Sequence, residues 1–424
     1  MLWSTVFIML MILTFSGLTC FFLIFMQLLC MAFNENTRVK IPAILHLTRI
    51  GYEYVSLKNA AWDESTNIFT EIFNKSINRI NPSYKKGTPK VKSNNKDYKK
   101  GDTYENIAAD SATLIKIDLY ESYIDTQRII NELKDLLDYE DLGRAFYKRL
   151  MSSTGIKLID FENFENNSFH VCTELPCRNG DDEFRPDITI LINGIPLVFI
   201  EVKKPNNKDG ILAERNRINA RFQNKKFRRF LNATQFMIFS NNMEYDNESI
   251  VPIQGAFYAA ISETEAVFNC FREEDKSIFE KIDLIDDEVE NLILLDNNLA
   301  AIKNSPEYLT NKDINKSTNK IITSLLSRER LKTILKYGLA YVDAAEGLSK
   351  HIMRYPQFFA TKAIESHIDC GKKKGIIWHT QGSGKTAIAY FNVAYLTAYF
   401  QKKNIVPKFY FIVDRLDLMT QARD

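Results

Sequence analysis

The feature that most constrains the fold of this chain is the dipeptide Asn193-Gly194, which separates two apolar runs within residues 185–205. Asn-Gly between apolar runs is the strongest short-range signal of a β-hairpin, because both residues tolerate the positive φ of a tight turn. We therefore expect an antiparallel hairpin here, with further short strands over residues 169–175, 236–240 and 256–260.

Apolar residues at helical spacing predict helices over residues 38–54, 66–80 and 124–151, and a mostly helical region over 262–340. The polar stretch at residues 304–320 interrupts that region and is interpreted as a linker. A second α/β unit is predicted from Gly375 onward, with a strand over 376–379, a loop over 380–384, a helix over 385–400 and a strand over 409–414. The chain is therefore assigned to the α/β class.

The composition narrows the functional classes. The 424 residues provide room for two or three domains. Lys and Arg (55) nearly balance Asp and Glu (53), which excludes a uniformly cationic nucleic-acid binder but leaves local basic patches possible. The six cysteines match neither a zinc site nor a disulfide framework, so we expect a reducing, cytoplasmic setting. The lysine-rich run 83–104 is either a solvated surface loop or a DNA-binding loop.

The amino-terminal segment does not fit a cytoplasmic protein. Residues 1–34 carry no charge, and residues 2–33 are long enough to cross a membrane as a helix. A real span would leave the rest of the chain cytoplasmic, because Arg38 and Lys40 follow it. The alternative is a misassigned start, since Met31 opens an ordinary soluble sequence. The hydrophobic segment 1–33 is thus either untranslated or a membrane anchor.

The first candidate site lies at the ends of the hairpin, where Asp187 opens it and Glu201-Val202-Lys203 closes it. Carboxylates hold Mg²⁺, and a lysine beside them orients water and offsets developing charge during phosphodiester hydrolysis. Glu201 and Lys203 lie two apart on a strand, so their side chains share a face. The alternative is an edge hairpin with solvated charges, although Glu201 stands where a core strand would continue with apolar residues.

The register of the hairpin decides whether Asp187 joins the other two residues. A two-residue Asn-Gly turn would pair Asp187 with Ile200 and direct its side chain to the wrong face. A three-residue loop with Gly194 left-handed and a bulge would set Asp187 opposite Glu201. The nuclease interpretation therefore requires a bulge, or a bend at Pro186.

The second candidate site is a glycine-rich loop between a predicted strand and a predicted helix, as in phosphate-binding loops. Lys385 would reach the β- and γ-phosphates of ATP, and Thr386 would bind Mg²⁺. His379 stands where the strict pattern has glycine, and the alternative is a chance glycine-rich turn. Upstream, Gln357 either reads an adenine edge or only begins a helix. The residues of the loop are Gly382, Ser383, Gly384, Lys385 and Thr386.

With both sites defined, residues 32–424 resemble the restriction (R) subunit of type I restriction–modification enzymes. Segments 34–42, 141–147 and 201–205 support the resemblance, and residues 411–421 look like the family's helicase motif Ia. The resemblance implies a restriction-endonuclease-like PD-(D/E)xK nuclease domain over 34–261, a helical linker region over 262–340, and a truncated first RecA-like helicase domain over 341–424.

The resemblance also implies the chemistry. The cofactors would be Mg²⁺ and ATP, and the partners would be double-stranded DNA and the methylation and specificity subunits. Asp187, Glu201 and Lys203 match the nuclease motif, Glu35 matches a further acidic position at the metal, and Lys385 matches the ATP site. We expect cleavage of unmodified DNA, coupled in the complete complex to ATP-driven translocation.

Two departures from the family pattern leave alternatives open. The Gln-x3-Tyr element that many members carry after the nuclease lysine is missing, and a basic stripe over residues 215–229 replaces it. That stripe either contacts phosphates or is a solvated helix face. The Walker B acidic pair and the second RecA-like domain are not found, so the chain looks like part of a longer subunit. It could then be a truncated, non-catalytic remnant that binds only DNA or partner subunits.

Overall fold

The computed structural model describes residues 35–82, 124–179, 181–205, 210–246, 254–261, 266–344, 347–380, 382 and 384–412. The hydrophobic amino-terminal segment and the lysine-rich run fall outside these residues, as do Ser383 and most of the motif Ia segment. Within the described residues, no helix combines the length and the apolar character that a membrane crossing requires.

A mixed seven-stranded sheet forms the centre of the molecule. Its strand order is β1-β2-β5-β6-β7-β8-β9, with parallel pairing of β1 with β2 and of β6 with β7, and antiparallel pairing elsewhere. The strands, including two small hairpins, are β1 (Glu53–Tyr54), β2 (Phe169–Thr173), β3 (Cys177–Asn179), β4 (Asp182–Phe184), β5 (Ile188–Ile192), β6 (Ile195–Val202), β7 (Phe236–Ser240), β8 (Ala256–Ala259), β9 (Asn269–Cys270), β10 (Leu339–Ala344) and β11 (Gly347–Ile352).

Helices cover both faces of the sheet. They are α1 (Ile41–Arg49), α2 (Thr70–Ile80), α3 (Thr126–Leu137), α4 (Arg144–Leu150), α5 (Gly210–Gln223), α6 (Arg228–Ala233), α7 (Asp287–Asp296), α8 (Pro306–Asn311), α9 (Ser317–Leu326), α10 (Arg328–Tyr337), α11 (Tyr355–Asp369) and α12 (Lys385–Gln401). One core joins the sheet to α1–α4 and α7–α10. A second, phenylalanine-rich core joins the opposite face to α5 and α6. Burial on both faces explains why β5 and β6 are apolar at every position except Thr189 and Glu201.

The central hairpin forms as predicted. Of the two turns considered, the two-residue turn is present: Asn193 and Gly194 have φ of 53° and 79°, and Ile192 pairs with Ile195. The bulge that the nuclease interpretation requires lies within the strands, since Leu191 pairs with Pro196, whereas Ile190 pairs with Val198. The extra residue is Leu197, and its carbonyl accepts a hydrogen bond of 2.6 Å from the Gln235 N–H.

The predicted single helix over 124–151 is two helices. Leu142 (φ 54°) and Gly143 (φ 80°) break it, and Asp141 caps the second helix through the N–H groups of Gly143 and Ala145. A side chain at Gly143 could not be accommodated, since its Cβ would lie 2.3 Å from the carbonyl oxygen of Asn232. The break is therefore fixed by tertiary packing as well as by backbone conformation.

The polar stretch 304–320 is not an extended linker, which corrects the sequence interpretation. It contains α8 and the start of α9, and several of its polar side chains have partners distant in sequence. The carboxylate of Glu290, only 1% exposed, accepts hydrogen bonds from Tyr308 Oη (2.7 Å) and Lys312 Nζ (2.6 Å). Thr318 and Asn319 are also buried. The helices of region 262–340 thus pack onto the sheet in the same core as α1–α4.

The hairpin of β10 and β11 joins the helical region to the predicted ATP-binding segment and packs on α4 and the start of β7. Arg144 pairs with Asp343 at 3.0 Å, and the Tyr341 ring lies against Tyr147. The amine of Lys350 is buried beneath the hairpin, where it donates to the Gln235 side-chain oxygen (3.2 Å) and to the carbonyl of Thr234 (3.3 Å). Burial lowers the pKa of Lys350 to about 7.

The described residues of the two strands predicted beside the glycine-rich loop do not form strands, so this prediction is wrong. Residues 376–379 and 409–412 have no strand pairing, and Ile376, Trp378 and Ile412 are each at least 91% exposed. An apolar run becomes a strand only where a neighbouring strand satisfies its backbone groups. Within the described part of the chain, nothing pairs with these runs. The helix predicted over 385–400 is present as α12.

Candidate active site at the ends of the central hairpin

The bulge brings Asp187 and Glu201 together. Continuing the register past the bulge places Asp187 opposite Glu201, since Ile188 pairs with Ile200. The two carboxyl groups are within hydrogen-bonding contact. The Asp187 carboxylate also accepts a hydrogen bond of 2.9 Å from the Val202 N–H, which fixes its orientation toward β6. The predicted carboxylate pair is therefore present in the structure.

Lys203 lies at the same end of the hairpin. Its amine is 3.9 Å from Asp187 Oδ2 and 3.8 Å from Glu35 Oε2, and it donates to the carbonyl of Val202 at 2.8 Å. The side chain is 18% exposed. Lys203 is thus held between two carboxylates at the edge of the site, where its charge can act on a bound anion.

Glu35 reaches the site from an irregular helical turn. Residues Asn36–Lys40 form a π-helix, in which Ile41 N–H donates to the carbonyl of Asn36, and Pro42 then opens the first turn of α1 without an N–H. Wide turns of this kind are frequent at functional sites. Among the described residues, no three His, Cys, Asp or Glu side chains are grouped as a metal site. Glu35 faces Lys203, and its role as a metal ligand stays a prediction.

The electrostatic state of the pair follows from burial. Glu201 is 4% exposed, and desolvation, reinforced by the negative charge of Asp187, raises the pKa of Glu201 to about 8, against the opposing effect of Arg221 and Lys203. At neutral pH the two carboxyl groups therefore retain a proton between them. Mg²⁺ prefers carboxylate oxygens as ligands, and a carboxyl group must lose its proton to bind the metal. Asp187 and Glu201 therefore fit a divalent cation that takes the place of the shared proton.

Arg221 is a site residue that sequence reasoning did not single out. Its guanidinium, near the end of α5, donates to Glu201 Oε1 at 3.1 Å and lies 4.5 Å above the ring of Phe184. The sequence shows only a basic stripe here. Four other members of that stripe pair with carboxylates, at distances of 2.6 to 3.2 Å: Lys225 and Arg228 with Glu140, Lys226 with Asp182, and Arg229 with Asp138. Phosphate contact by the stripe stays a prediction.

The described glycines of the glycine-rich loop have left-handed backbone conformations. Gly382 and Gly384 have φ of 76° and 81°, and Gly384 precedes the first residue of α12. Lys385 Nζ donates to the carbonyl of Thr380 at 3.2 Å, within the loop. Thr386 follows in the first turn of α12 and is exposed. Exposed N–H groups at a helix N-terminus favour anions.

Gln357 contacts this loop from the first turn of α11. Its side-chain oxygen accepts from the Arg354 N–H at 2.8 Å, and its amide donates to the Gly384 carbonyl at 3.3 Å. The side chain is 3% exposed. Arg354 in turn donates to the Gly382 carbonyl at 3.3 Å. Gln357 therefore begins a helix and also holds the loop, and the reading of adenine stays a prediction.

Comparison with known proteins connects both sites to one family. Residues 32–246, slightly more than half of the chain, match the family model described as type I restriction enzyme R protein N terminus. The chain belongs to the type I restriction enzyme R protein family. Residues 350–424 match a second model, described as type III restriction enzyme, res subunit. The two matched ranges contain the hairpin site and the glycine-rich loop, respectively.

Individual R proteins give the same result. The chain is 30% identical over 313 residues to the type I restriction enzyme MjaVIIIP endonuclease subunit of Methanocaldococcus jannaschii, and 28% identical over 299 residues to the MjaVIIP endonuclease subunit of that organism. It is 23% identical over 401 residues to the HindI endonuclease subunit of Haemophilus influenzae. These alignments cover 70%, 68% and 91% of the chain, but only 25%, 23% and 32% of the relatives. The chain thus spans about a quarter to a third of their length.

Proposed function

We propose that this R protein chain carries a Mg²⁺-dependent endonuclease site for double-stranded DNA, in a PD-(D/E)xK domain. The observation that carries the proposal is the bulged register of β5 and β6, which sets Asp187 against Glu201 with Lys203 beside them. A structural ion pair would not require a buried carboxyl group whose pKa is raised to about 8. Strongly shifted carboxyl groups of this kind are typical of functional sites.

Each residue has a distinct role in the proposed reaction. Asp187 and Glu201 would hold Mg²⁺, which supplies Lewis acidity to polarise the phosphodiester and lower the pKa of bound water. The Val202 N–H orients Asp187. Lys203, steadied by Glu35, places a positive charge where negative charge develops on the phosphate, and can orient the attacking water.

The glycine-rich loop is proposed to bind the phosphates of ATP at the start of a RecA-like domain. Gly382 and Gly384 would expose backbone N–H groups, Lys385 would leave the Thr380 carbonyl for the β- and γ-phosphates, and Thr386 would bind Mg²⁺. Gln357 would set the position of the loop through Gly384.

The complete activity is proposed at the level of a larger assembly. The relatives are named as endonuclease subunits of type I restriction enzymes, and the chain spans only part of their length. We propose that the nuclease site acts on unmodified DNA in a complex with methylation and specificity subunits, with cleavage coupled to ATP-driven translocation. The competing function is binding of DNA or partner subunits without cleavage.

Metal binding and DNA cleavage by the 424-residue chain test the nuclease proposal. Calorimetric titration with Mg²⁺ or Mn²⁺ should detect one site in the wild-type chain that is lost in Glu201→Gln. Nicking of closed circular DNA should require the metal and disappear in the same variant. A matched control is Glu290→Gln, which also neutralises a buried carboxylate but lies among α7 and α8.

The control variant should bind metal like the wild-type chain. Equal metal binding by wild type and Glu201→Gln would contradict the site assignment. Metal binding that depends on Glu201 without any cleavage, in the chain or in the assembled complex, would favour the non-catalytic alternative.

A further inference from the structure

Arg221 enters the proposed nuclease site from outside the hairpin. It lies in the last turn of α5, and this helix is fixed by Ile218, which is 1% exposed in the phenylalanine-rich core. The Asn219 side chain also accepts a hydrogen bond of 3.0 Å from the Ala266 N–H. The position of Arg221 is therefore set by the packing of α5 and does not depend on its contact with Glu201.

The Arg221 guanidinium makes a charged hydrogen bond to Glu201 and a cation–π contact to Phe184, and the second contact tolerates movement. It donates to Glu201 Oε1 at 3.1 Å, and it lies 4.5 Å from the centre of the Phe184 ring. A guanidinium over an aromatic face can slide across the ring with little loss of energy, because the attraction depends on distance to the face and not on one hydrogen bond. Phe184 thus provides a platform on which Arg221 can change its anionic partner.

Exposure shows which partner Arg221 could take instead. Its side chain is 29% exposed, whereas that of Glu201 is 5% exposed, so the guanidinium is more accessible to a ligand than the carboxylate with which it pairs. Guanidinium groups bind phosphate oxygens through two parallel N–H donors, which makes a DNA phosphate the natural alternative partner.

Lys203 cannot play this part. Its amine is held by the Val202 carbonyl at 2.8 Å and lies between Asp187 and Glu35, on the Asp187 side of the pair. Each carboxylate of the pair thus has its own cation. Only the cation of Glu201 comes from another element and rests on an aromatic platform.

We propose that Arg221 is a positioning residue that pairs with Glu201 while no divalent cation is bound and moves to a DNA phosphate when the metal binds. The inference rests on the proposed nuclease function and adds a coupling to it. Arg221 and the metal compete for Glu201, so a DNA phosphate that captures Arg221 favours metal binding. By linkage, the metal favours DNA binding to the same extent.

Titration of Ca²⁺ into the 424-residue chain, with and without a short DNA duplex, tests the coupling. Ca²⁺ has the required preference for oxygen ligands. Without DNA, Arg221→Gln should bind Ca²⁺ about tenfold more tightly than wild type, since a competing unit charge beside the site is gone. With DNA, the affinities of the two proteins should converge, so that DNA strengthens Ca²⁺ binding less in the variant. All titrations are made at one alkaline pH, at which protons compete less with Ca²⁺ for the carboxyl pair.

Arg229→Gln is the matched control. Arg229 belongs to the same basic stripe, is 32% exposed and pairs with Asp138 at 2.6 Å, away from the carboxylate pair. Its Ca²⁺ affinity should equal that of wild type. If Arg221→Gln fails to fold, Arg221→Met can replace it, because methionine keeps an apolar stem over Phe184. Arg221→Met should show the same tighter Ca²⁺ binding without DNA.

Ca²⁺ affinity that is unchanged or weaker in Arg221→Gln without DNA would overturn the inference and leave the nuclease proposal intact. A wild-type chain that binds no Ca²⁺, with or without DNA, would instead refute the proposed metal site, and the inference with it.

Discussion

Replacing Lys350 by methionine should make the stability of the chain less dependent on pH. The Lys350 amine is buried beneath the hairpin of β10 and β11, and burial lowers its pKa from 10.5 to about 7, with Asp141 opposing the shift. Between these values the unfolded chain holds a proton that the native chain has released. The free energy of unfolding therefore rises with pH through this window, because the unfolded state binds more protons.

The size of the effect follows from the two pKa values. For one group with these two pKa values, the free energy of unfolding rises by about 2 kcal/mol from about pH 7 to about pH 9. Lys350→Met removes this contribution. It also leaves the Thr234 carbonyl and the Gln235 side chain without their donor. That loss, of about 1–3 kcal/mol, does not depend on pH.

Urea unfolding at the two pH values measures the prediction. The gain in unfolding free energy from the lower to the higher pH should be about 2 kcal/mol larger in wild type than in Lys350→Met. Lys336→Met is the control, since Lys336 lies on neighbouring α10 and pairs with Glu162 at the surface. The same pH response in wild type and Lys350→Met would show that the amine is not buried as a titrating group.

Other predictions concern the two sites and the break before α4. Because the pKa of Glu201 is raised to about 8, metal must displace a proton below that value, and calorimetric metal affinity should rise up to about tenfold per pH unit from about pH 6 to 8, then level off. Gly143→Ala should lower the urea-unfolding free energy by at least ~2 kcal/mol, because its Cβ would lie 2.3 Å from the Asn232 carbonyl oxygen. Gly155→Ala, with a similar φ but no atom within 4 Å, should cost only the backbone strain of ~1 kcal/mol. Lys385→Ala should weaken ATP binding measured by calorimetry, with no effect on metal binding at the hairpin.

The sequence predicted the hairpin, and it predicted that a nuclease site needs a bulge or a bend at Pro186, because side chains alternate strictly along strands. With a two-residue turn and straight strands, Asp187 and Glu201 can share a face only if one of the residues between them is left unpaired. The place of the bulge could not be predicted, because it depends on the contact of Leu197 with Gln235, which is 38 residues away.

The features that sequence analysis predicted wrongly or missed share a physical cause. The runs at 376–379 and 409–412 have the apolar character of strands, but pairing depends on partners that local sequence does not specify. Arg221 was visible as one of several basic residues, and only the packing of α5 distinguishes it from Arg229, which pairs with Asp138. Polar residues at 304–320 indicated a linker because their partners, such as Glu290, are distant in sequence.

The bulge at Leu197 means that the carboxylate pair depends on chain length as well as residue identity. Five residues separate Asp187 from the turn and six separate the turn from Glu201, so the two arms differ by one. Deleting one of residues 188–192, with the bulge retained, would set Asp187 opposite Ile200 and direct the two carboxylates to opposite faces, whereas deleting Leu197 would remove the bulge and leave Asp187 opposite Glu201. Deleting one residue from each arm would keep the difference. Loss of a single residue between Asp187 and the turn should therefore inactivate the site even where every charged residue of the site is retained, and loss of one residue from each arm should be tolerated.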